Sequence, residues 1–157
     1  MFKKITYLLI LSASIITTTI SSAHAAENCM PIGGTGMPNF VPQKDGTITI
    51  VAPLTGSVAT AAGKITAQRK TATGLEMDME HYFMTEAGGF IHTKDLGILT
   101  TVKGKKDRYM IEITYQVQKG SASGVLKGYQ GSFKSFGLVD LAKLNGLIRY
   151  SGKICKW

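Results

Sequence analysis

Two of the three histidines, His81 and His92, and a short run of acids are the residues that could take part in acid–base or metal chemistry. Glu76, Asp78 and Glu80 alternate along one predicted strand, so their carboxylates share a face and could hold a cation. Lysines and an arginine on the preceding segment favour a different interpretation, a solvated outer face on which each acid has a cross-strand partner. Neither His81 nor His92 falls at a zinc-ligand spacing, so the sequence predicts no metal site.

Motifs for nucleophilic or nucleotide chemistry are missing from the sequence. There is no Gly-x-Ser-x-Gly elbow, and the glycine-rich run at residues 33–36 is followed by prolines rather than by a helix. We therefore expect no catalytic residue of a known motif and no cofactor. The sequence alone leaves open whether the protein is an enzyme.

Cys29 and Cys155 are the two cysteines of the chain and lie near its opposite ends. An even number of cysteines in an exported protein favours pairing, and a bridge here would close a loop of about 125 residues, worth roughly 4 to 5 kcal/mol in the chain-entropy model. The alternative is a redox or metal role, which the lack of a CxxC motif disfavours. The sequence predicts a disulfide.

The first 25 residues have the features of a cleaved secretion signal. Lys3 and Lys4 precede a mostly apolar stretch at 5–16, and the small residues of 21–25 suit signal peptidase, with cleavage after Ala25. A membrane anchor is the alternative, but serines and threonines interrupt the stretch, and no later segment is apolar enough to span a bilayer. We expect a periplasmic or secreted protein without a stable membrane span.

Composition describes one globular domain with a basic surface. Of 157 residues, 44% are hydrophobic and 18 are glycine, which argues against a helical bundle. The formal net charge of +8 could attract anionic lipid, polysaccharide or nucleic acid. The lysines are scattered, however, and the one dense cluster, at 103–108, is typical of a turn, so we do not expect nucleic-acid binding.

The chain beyond the signal divides into an irregular leader and a strand-rich domain. Residues 26–46 hold three of the four prolines and show no clean periodicity, whereas residues 47–157 alternate in short segments typical of an antiparallel all-β fold. The pattern predicts eight strands, which lie near residues 47–52, 56–71, 75–85, 89–93, 97–102, 109–118, 124–136 and 147–156. Eight strands are enough for a single closed antiparallel barrel that is either filled by side chains or holds one small ligand.

The hairpin between the second and third predicted strands allows its register to be predicted. A three-residue loop at 72–74 places Lys70 opposite Glu76 and pairs the polar faces of the two strands. The alternative, slipped by one residue, places Glu76 opposite Arg69 and mixes polar with apolar positions. We therefore predict the first register.

Alternation also predicts which side chains face the barrel interior. The inward set combines methionine and aromatic side chains with a few polar tips, which suits either an ordinary core or an apolar ligand pocket. Arg69 lies near the hairpin end of this face, where it could meet an anionic head group. The candidate ligand-binding residues are Arg69, Met79, His81, Tyr115 and Tyr150.

Two segments resemble a known group of barrels. The glycine-spaced run at 124–133, Gly-Val-Leu-Lys-Gly-Tyr-Gln-Gly-Ser-Phe, is similar to the corresponding strand of allene oxide cyclase-like and dirigent-like proteins, and residues 145–155 resemble the end of bacterial members. The match covers about residues 85–155. The resemblance implies an eight-stranded antiparallel barrel with an apolar cavity, which in the plant relatives steers the cyclisation or coupling of a reactive small molecule. It transfers no catalytic residue to this chain.

Three functions remain open at this point. The first is an exported barrel that binds a small apolar or amphipathic molecule in its cavity. The second is a cavity enzyme of isomerase or cyclase type. The third is an interaction module with a filled barrel that acts through its outer surface. A cavity above roughly 300 Å³ would favour the first two functions, and a filled interior would favour the third. The sequence does not determine the oligomeric state.

Overall fold

The computed structural model describes residues 28–156, so the predicted signal at 1–25 lies outside the described residues. Within them the chain is almost entirely β-structure, with a single 3₁₀ turn at Gly124–Leu126. The nine strands are β1 (Cys29–Gly36), β2 (Asn39–Pro42), β3 (Ile48–Pro53), β4 (Thr60–Lys70), β5 (Gly74–Met84), β6 (Phe90–Thr101), β7 (Arg108–Val117), β8 (Tyr129–Asp140) and β9 (Asn145–Lys156).

The sheet closes into a barrel because β9 has partners on both edges. Strands β2 to β9 follow one another in antiparallel order, and β9 pairs with β8 on one side and with β2, through Asn39 and Asn145, on the other. These eight strands form the barrel, and β1 is an additional strand that runs along β9. The predicted fold class, an eight-stranded antiparallel barrel, is confirmed.

The segment interpreted as an irregular leader contributes two strands. Residues 26–46 contain β1 and β2, which have little alternation of their own and consist largely of Gly, Pro and small residues. Strand β1 pairs with β9, more than a hundred residues away, and β2 pairs with β3 and meets β9 at one residue pair, so a local pattern could not reveal β1 or the closure of the barrel.

Strand β6 is continuous where the pattern predicted two separate strands, at 89–93 and 97–102. Asp95 lies in the predicted break, but its side chain is buried inside the barrel. Because charged residues are rare in the interior of a strand, the sequence pattern at Asp95 is interpreted as a turn. The total of eight barrel strands nevertheless holds, because β2 replaces the strand lost by joining these two.

The predicted register of the β4–β5 hairpin is wrong. Glu76 lies opposite Arg69, which is the slipped alternative, and a bulge between Ile65 and Ala67 shifts the pairing again further along. The guanidinium of Arg69 bonds the carboxylates of both Glu76 and Asp78, at 2.6 Å to Asp78 Oδ2, and so favours this register. Beyond Ile65 the strand is exposed on both faces, so no core was there to enforce the polar–apolar alternation.

The predicted disulfide between Cys29 and Cys155 is confirmed. The two residues are direct cross-strand partners in the β1–β9 ladder and are 126 residues apart in sequence. The bridge fixes β1 to the last strand of the barrel. In the part of the chain described, no helix has the length and apolar character needed to cross a bilayer.

Successive turns divide between two ends of the barrel. The register places the turns at 43–47, 71–73, 102–107 and 141–144 at one end, which we call end A. The loops at 54–59, 85–89 and 118–128 lie at the opposite end, end B, together with the disulfide.

Candidate functional site

A buried histidine–aspartate pair lies inside the barrel. Nδ1 of His81 on β5 is 2.6 Å from Oδ2 of Asp95 on β6, and the side chains are 5% and 0% exposed. Gly63 on β4 makes room for the imidazole, because a Cβ there would lie 2.5 Å from His81 Cδ2. Burial raises the pKa of Asp95, and the hydrogen bond with His81 opposes this effect.

Aromatic rings surround the pair and complete the interior. Tyr115 on β7 meets the His81 ring edge-on at 5.5 Å and stacks on Phe133 at 4.7 Å. Its hydroxyl is 3.0 Å from Ser135 Oγ, and burial raises the pKa of the phenol. Phe83 packs against both Tyr115 and Phe133. The polar atoms of this layer therefore bond mainly to each other within an apolar shell.

The interior is filled by side chains rather than hollow. A cavity of about 30 Å³ remains beside Met79, His81, Phe83 and Tyr115, with Phe40 and Ile50 on the facing strands. That volume has room for about one or two water molecules, whereas ligand pockets of drug size measure roughly 300 to 1,000 Å³. As it stands, the centre of the barrel is a packed core with a small void.

The structure brings together three of the five candidate ligand-binding residues. Met79, His81 and Tyr115 line the same small cavity, as alternation predicted. Tyr150 is also buried, but its hydroxyl donates a 2.7 Å hydrogen bond to the carbonyl of Thr55 and so holds the loop at end B. Arg69 is exposed at the end of β4, where its guanidinium forms salt bridges with the carboxylates of Glu76 and Asp78. Ligand contact by any of these residues stays a prediction.

The acidic trio lies on the outer face and each member has a cationic partner. Glu76 and Asp78 pair with Arg69, and Glu80 lies 3.5 Å from the Lys64 ammonium. His92 stacks on Tyr82 at 4.5 Å on this outer side, away from His81. Within residues 28–156 no cluster of three His, Cys, Asp or Glu side chains could hold a metal ion.

The outer surface carries an apolar row that the sequence analysis did not identify. Met110, Leu138 and Leu147 are direct cross-strand neighbours on β7, β8 and β9. The pairs Gly36–Ile148 and Asn39–Asn145 on either side place Met37 opposite Leu147. We call these four residues, Met37, Met110, Leu138 and Leu147, the apolar stripe. Their exposed fractions are 58%, 61%, 54% and 61%.

The apolar stripe runs along an open groove near end A. Met37, Leu138 and Leu147 line this groove, whose volume is about 520 Å³, and Arg108 and Lys143 lie on its rim. Phe136, 51% exposed, extends the apolar surface along β8. Contiguous exposed apolar patches larger than roughly a few hundred Å² are rare on monomeric proteins, and the largest apolar patch of a protein is often an interaction site. This face is the second candidate site of the molecule.

Both features missed by the sequence analysis had a signal in the sequence. Asp95 follows Ile91 and Thr93 at period two and precedes Leu99 in the same phase, which marks it as inward-facing once β6 is taken as a single strand. Leu138 and Leu147 lie on the faces opposite to Val139 and Ile148, so alternation alone places them outside. Their clustering depends on the register of four strands, which no local pattern supplies.

Comparison of the chain with protein-family models, with curated proteins and with solved structures gave no match in any of the three. The resemblance to allene oxide cyclase-like and dirigent-like barrels therefore stays a prediction. The class of the protein follows from the fold itself, a small antiparallel β-barrel tied by one disulfide.

Proposed function

We propose that this protein is an exported interaction module, in which a filled barrel acts as a rigid scaffold and the apolar stripe binds the partner. The observation that carries the proposal is the contrast between the two sides of the sheet. Inside, the side chains leave a void of about 30 Å³, while outside four large apolar side chains lie side by side and more than half exposed.

Binding of a small apolar or amphipathic molecule inside the barrel is compatible with the fold, but the interior does not favour it. A ligand of drug size needs roughly ten times the present cavity volume. To make that space, Met79, Phe83 and Tyr115 would have to leave packed positions in which each is at most 3% exposed.

An isomerase or cyclase function has the same requirement for space. The His81–Asp95 pair has the geometry of a base held by a carboxylate, since Nδ1 is engaged and the ring borders the cavity. A substrate must reach that ring, and a void that holds one or two waters does not admit one. We therefore assign the pair to the structure of the core.

Export is part of the proposal and is supported by the disulfide. A cross-strand bridge between Cys29 and Cys155 persists in an oxidising compartment such as the periplasm or the extracellular space. A packed barrel tied at one end is also a stable carrier for a binding surface, because the strands that present the stripe are fixed by their neighbours on both sides.

The neutral dye Nile red distinguishes a surface site from an interior one. Leu138→Ser combined with Leu147→Ser is expected to abolish most of the dye fluorescence seen with the wild type, because both changes remove exposed apolar surface from the stripe. Met79→Ala, which widens the interior, is expected not to reduce it. Fluorescence titration measures both effects.

The matched control for this test is Leu96→Ser combined with Val125→Ser. These side chains are 41% and 53% exposed but lie outside the stripe, so the dye signal should stay close to that of the wild type. Retention of the full signal in the Leu138/Leu147 variant would contradict the proposal. So would native mass spectrometry that finds a stoichiometric apolar molecule within protein purified from its own host.

A further inference from the structure

We infer that the partner of the apolar stripe is an anionic lipid surface, onto which the barrel docks with the face that carries the stripe, beside the lysine-rich turns of end A. This inference rests on the proposed function, because it names the partner of that same surface. It is carried by the position of the lysines relative to the stripe and by the distance between the two.

Positive charge is concentrated in the turns at end A. These turns carry five exposed lysines, Lys44, Lys103, Lys105, Lys106 and Lys143, against Asp45 and Asp107. The loops at end B carry Lys119, Lys127 and Glu86. The turns of end A therefore carry an excess of three positive charges, and the loops of end B an excess of one. Lysines beside an apolar surface are the combination that anchors peripheral proteins to anionic bilayers.

The distance between the stripe and the turns of end A fits this mode of binding. Met110 and Leu147 lie two residues inside the strand ends at Arg108 and Asn145, which places them about 7 Å from the turns. Apolar surfaces of peripheral proteins enter a bilayer by roughly 5 to 10 Å. With the stripe face against the bilayer, the turns of end A lie about 7 Å to one side of the stripe, and the long side chains of their lysines reach the phosphate layer.

The charged groups closest to the stripe do not oppose the insertion strongly. Arg108 bonds Asp140 at 3.2 Å, and Lys134 bonds Glu112 at 2.9 Å, so the acids on both sides of the stripe are already paired. Lys143 donates its backbone N–H to Asp140, and this bond, together with Arg108, lowers the pKa of that carboxyl. The side chain of Lys143 remains exposed to meet a phosphate.

A second copy of the chain is a poorer occupant on grounds of charge. Packing the stripe of one molecule onto the stripe of another about a two-fold axis brings the two lysine-rich ends into one neighbourhood. Like charges placed together across an interface oppose association. An anionic bilayer instead complements the same lysines.

Vesicle co-sedimentation tests the inference on the mature protein. The probes are vesicles of phosphatidylcholine alone and of phosphatidylcholine mixed equally with phosphatidylglycerol. Binding is expected only to the mixed vesicles and should weaken as salt is added, because added ions screen the exposed lysines. The triple variant Lys103→Gln, Lys105→Gln and Lys106→Gln is expected to lower the partition coefficient about 100-fold, at about five-fold per lysine.

Two further variants test whether binding depends on where the lysines lie and on the apolar side chains of the stripe, rather than on total charge alone. The triple variant Lys119→Gln, Lys127→Gln and Lys153→Gln removes the same total charge away from end A and should lower the partition coefficient far less. Leu138→Ser with Leu147→Ser should lower it roughly ten-fold or more, because apolar insertion is lost while the charge is unchanged.

The possible failures are distinguishable. Equal losses in the two lysine variants, or equal binding to both kinds of vesicle, would overturn the lipid inference. So would failure to bind either vesicle, or a concentration-dependent dimer that disappears with the stripe variant. In each case a dye signal that still depends on Leu138 and Leu147 leaves the proposed function standing, and a dye signal independent of them overturns it.

Discussion

Asp95→Leu is expected to lower the free energy of unfolding by about 3 kcal/mol or more, because it leaves the buried Nδ1 of His81 without its partner. The substitution is close to isosteric, so the loss reports the broken pair more than a new cavity. Equilibrium unfolding in urea, followed by tyrosine fluorescence or circular dichroism, measures the change.

The double variant His81→Leu with Asp95→Leu is the control for this result. It removes both polar groups, so it is expected to be more stable than the single Asp95→Leu variant. A double-mutant cycle then isolates the interaction between the two residues. An Asp95→Leu protein as stable as the wild type would show that the pair contributes little to the core.

The same aspartate makes stability depend on pH. Burial raises the pKa of Asp95, so the folded state holds this proton more tightly than the unfolded chain, whose carboxyl titrates near 3.9. The stability that the protonated Asp95 carboxyl adds to the folded state is complete below about pH 3.9. It is lost as the pH rises through the raised pKa of Asp95. Relative to Asp95→Asn, the wild type should lose stability over that range. A difference between the two proteins that does not change with pH would contradict the assignment.

Alternation predicted the interior of the barrel well where the strands have one buried face. Met77, Met79, His81 and Phe83 on β5 are all at most 4% exposed, as the period of two indicated. The predicted hairpin register was wrong a few residues away, because alternation specifies a register only where one face of a strand is buried. The end of β4 has no buried face, so the ion pairs of Arg69 set the pairing instead.

Pairing between distant segments limits what the sequence reveals about the two candidate sites. The row formed by Met37 and Leu147 depends on pairing between strands that are far apart in sequence. The central volume depends on how side chains from facing strands interdigitate, here Phe40 and Ile50 against Met79. Composition predicted an apolar interior, but the same methionines and aromatics serve a pocket or a core equally well.

Cys29→Ser combined with Cys155→Ser is expected to lower the free energy of unfolding by roughly 4 to 5 kcal/mol, because the bridge closes a loop spanning nearly all of the described chain. Strand β1 should lose protection from hydrogen exchange first, since it pairs with β9 and holds Ile32 in the core without belonging to the closed barrel. Reductant should destabilise the wild type to the level of the variant and leave the variant unchanged. If the variant loses less than about 1 kcal/mol, the pairing of β1 with β9 rather than the bridge ties the chain ends together.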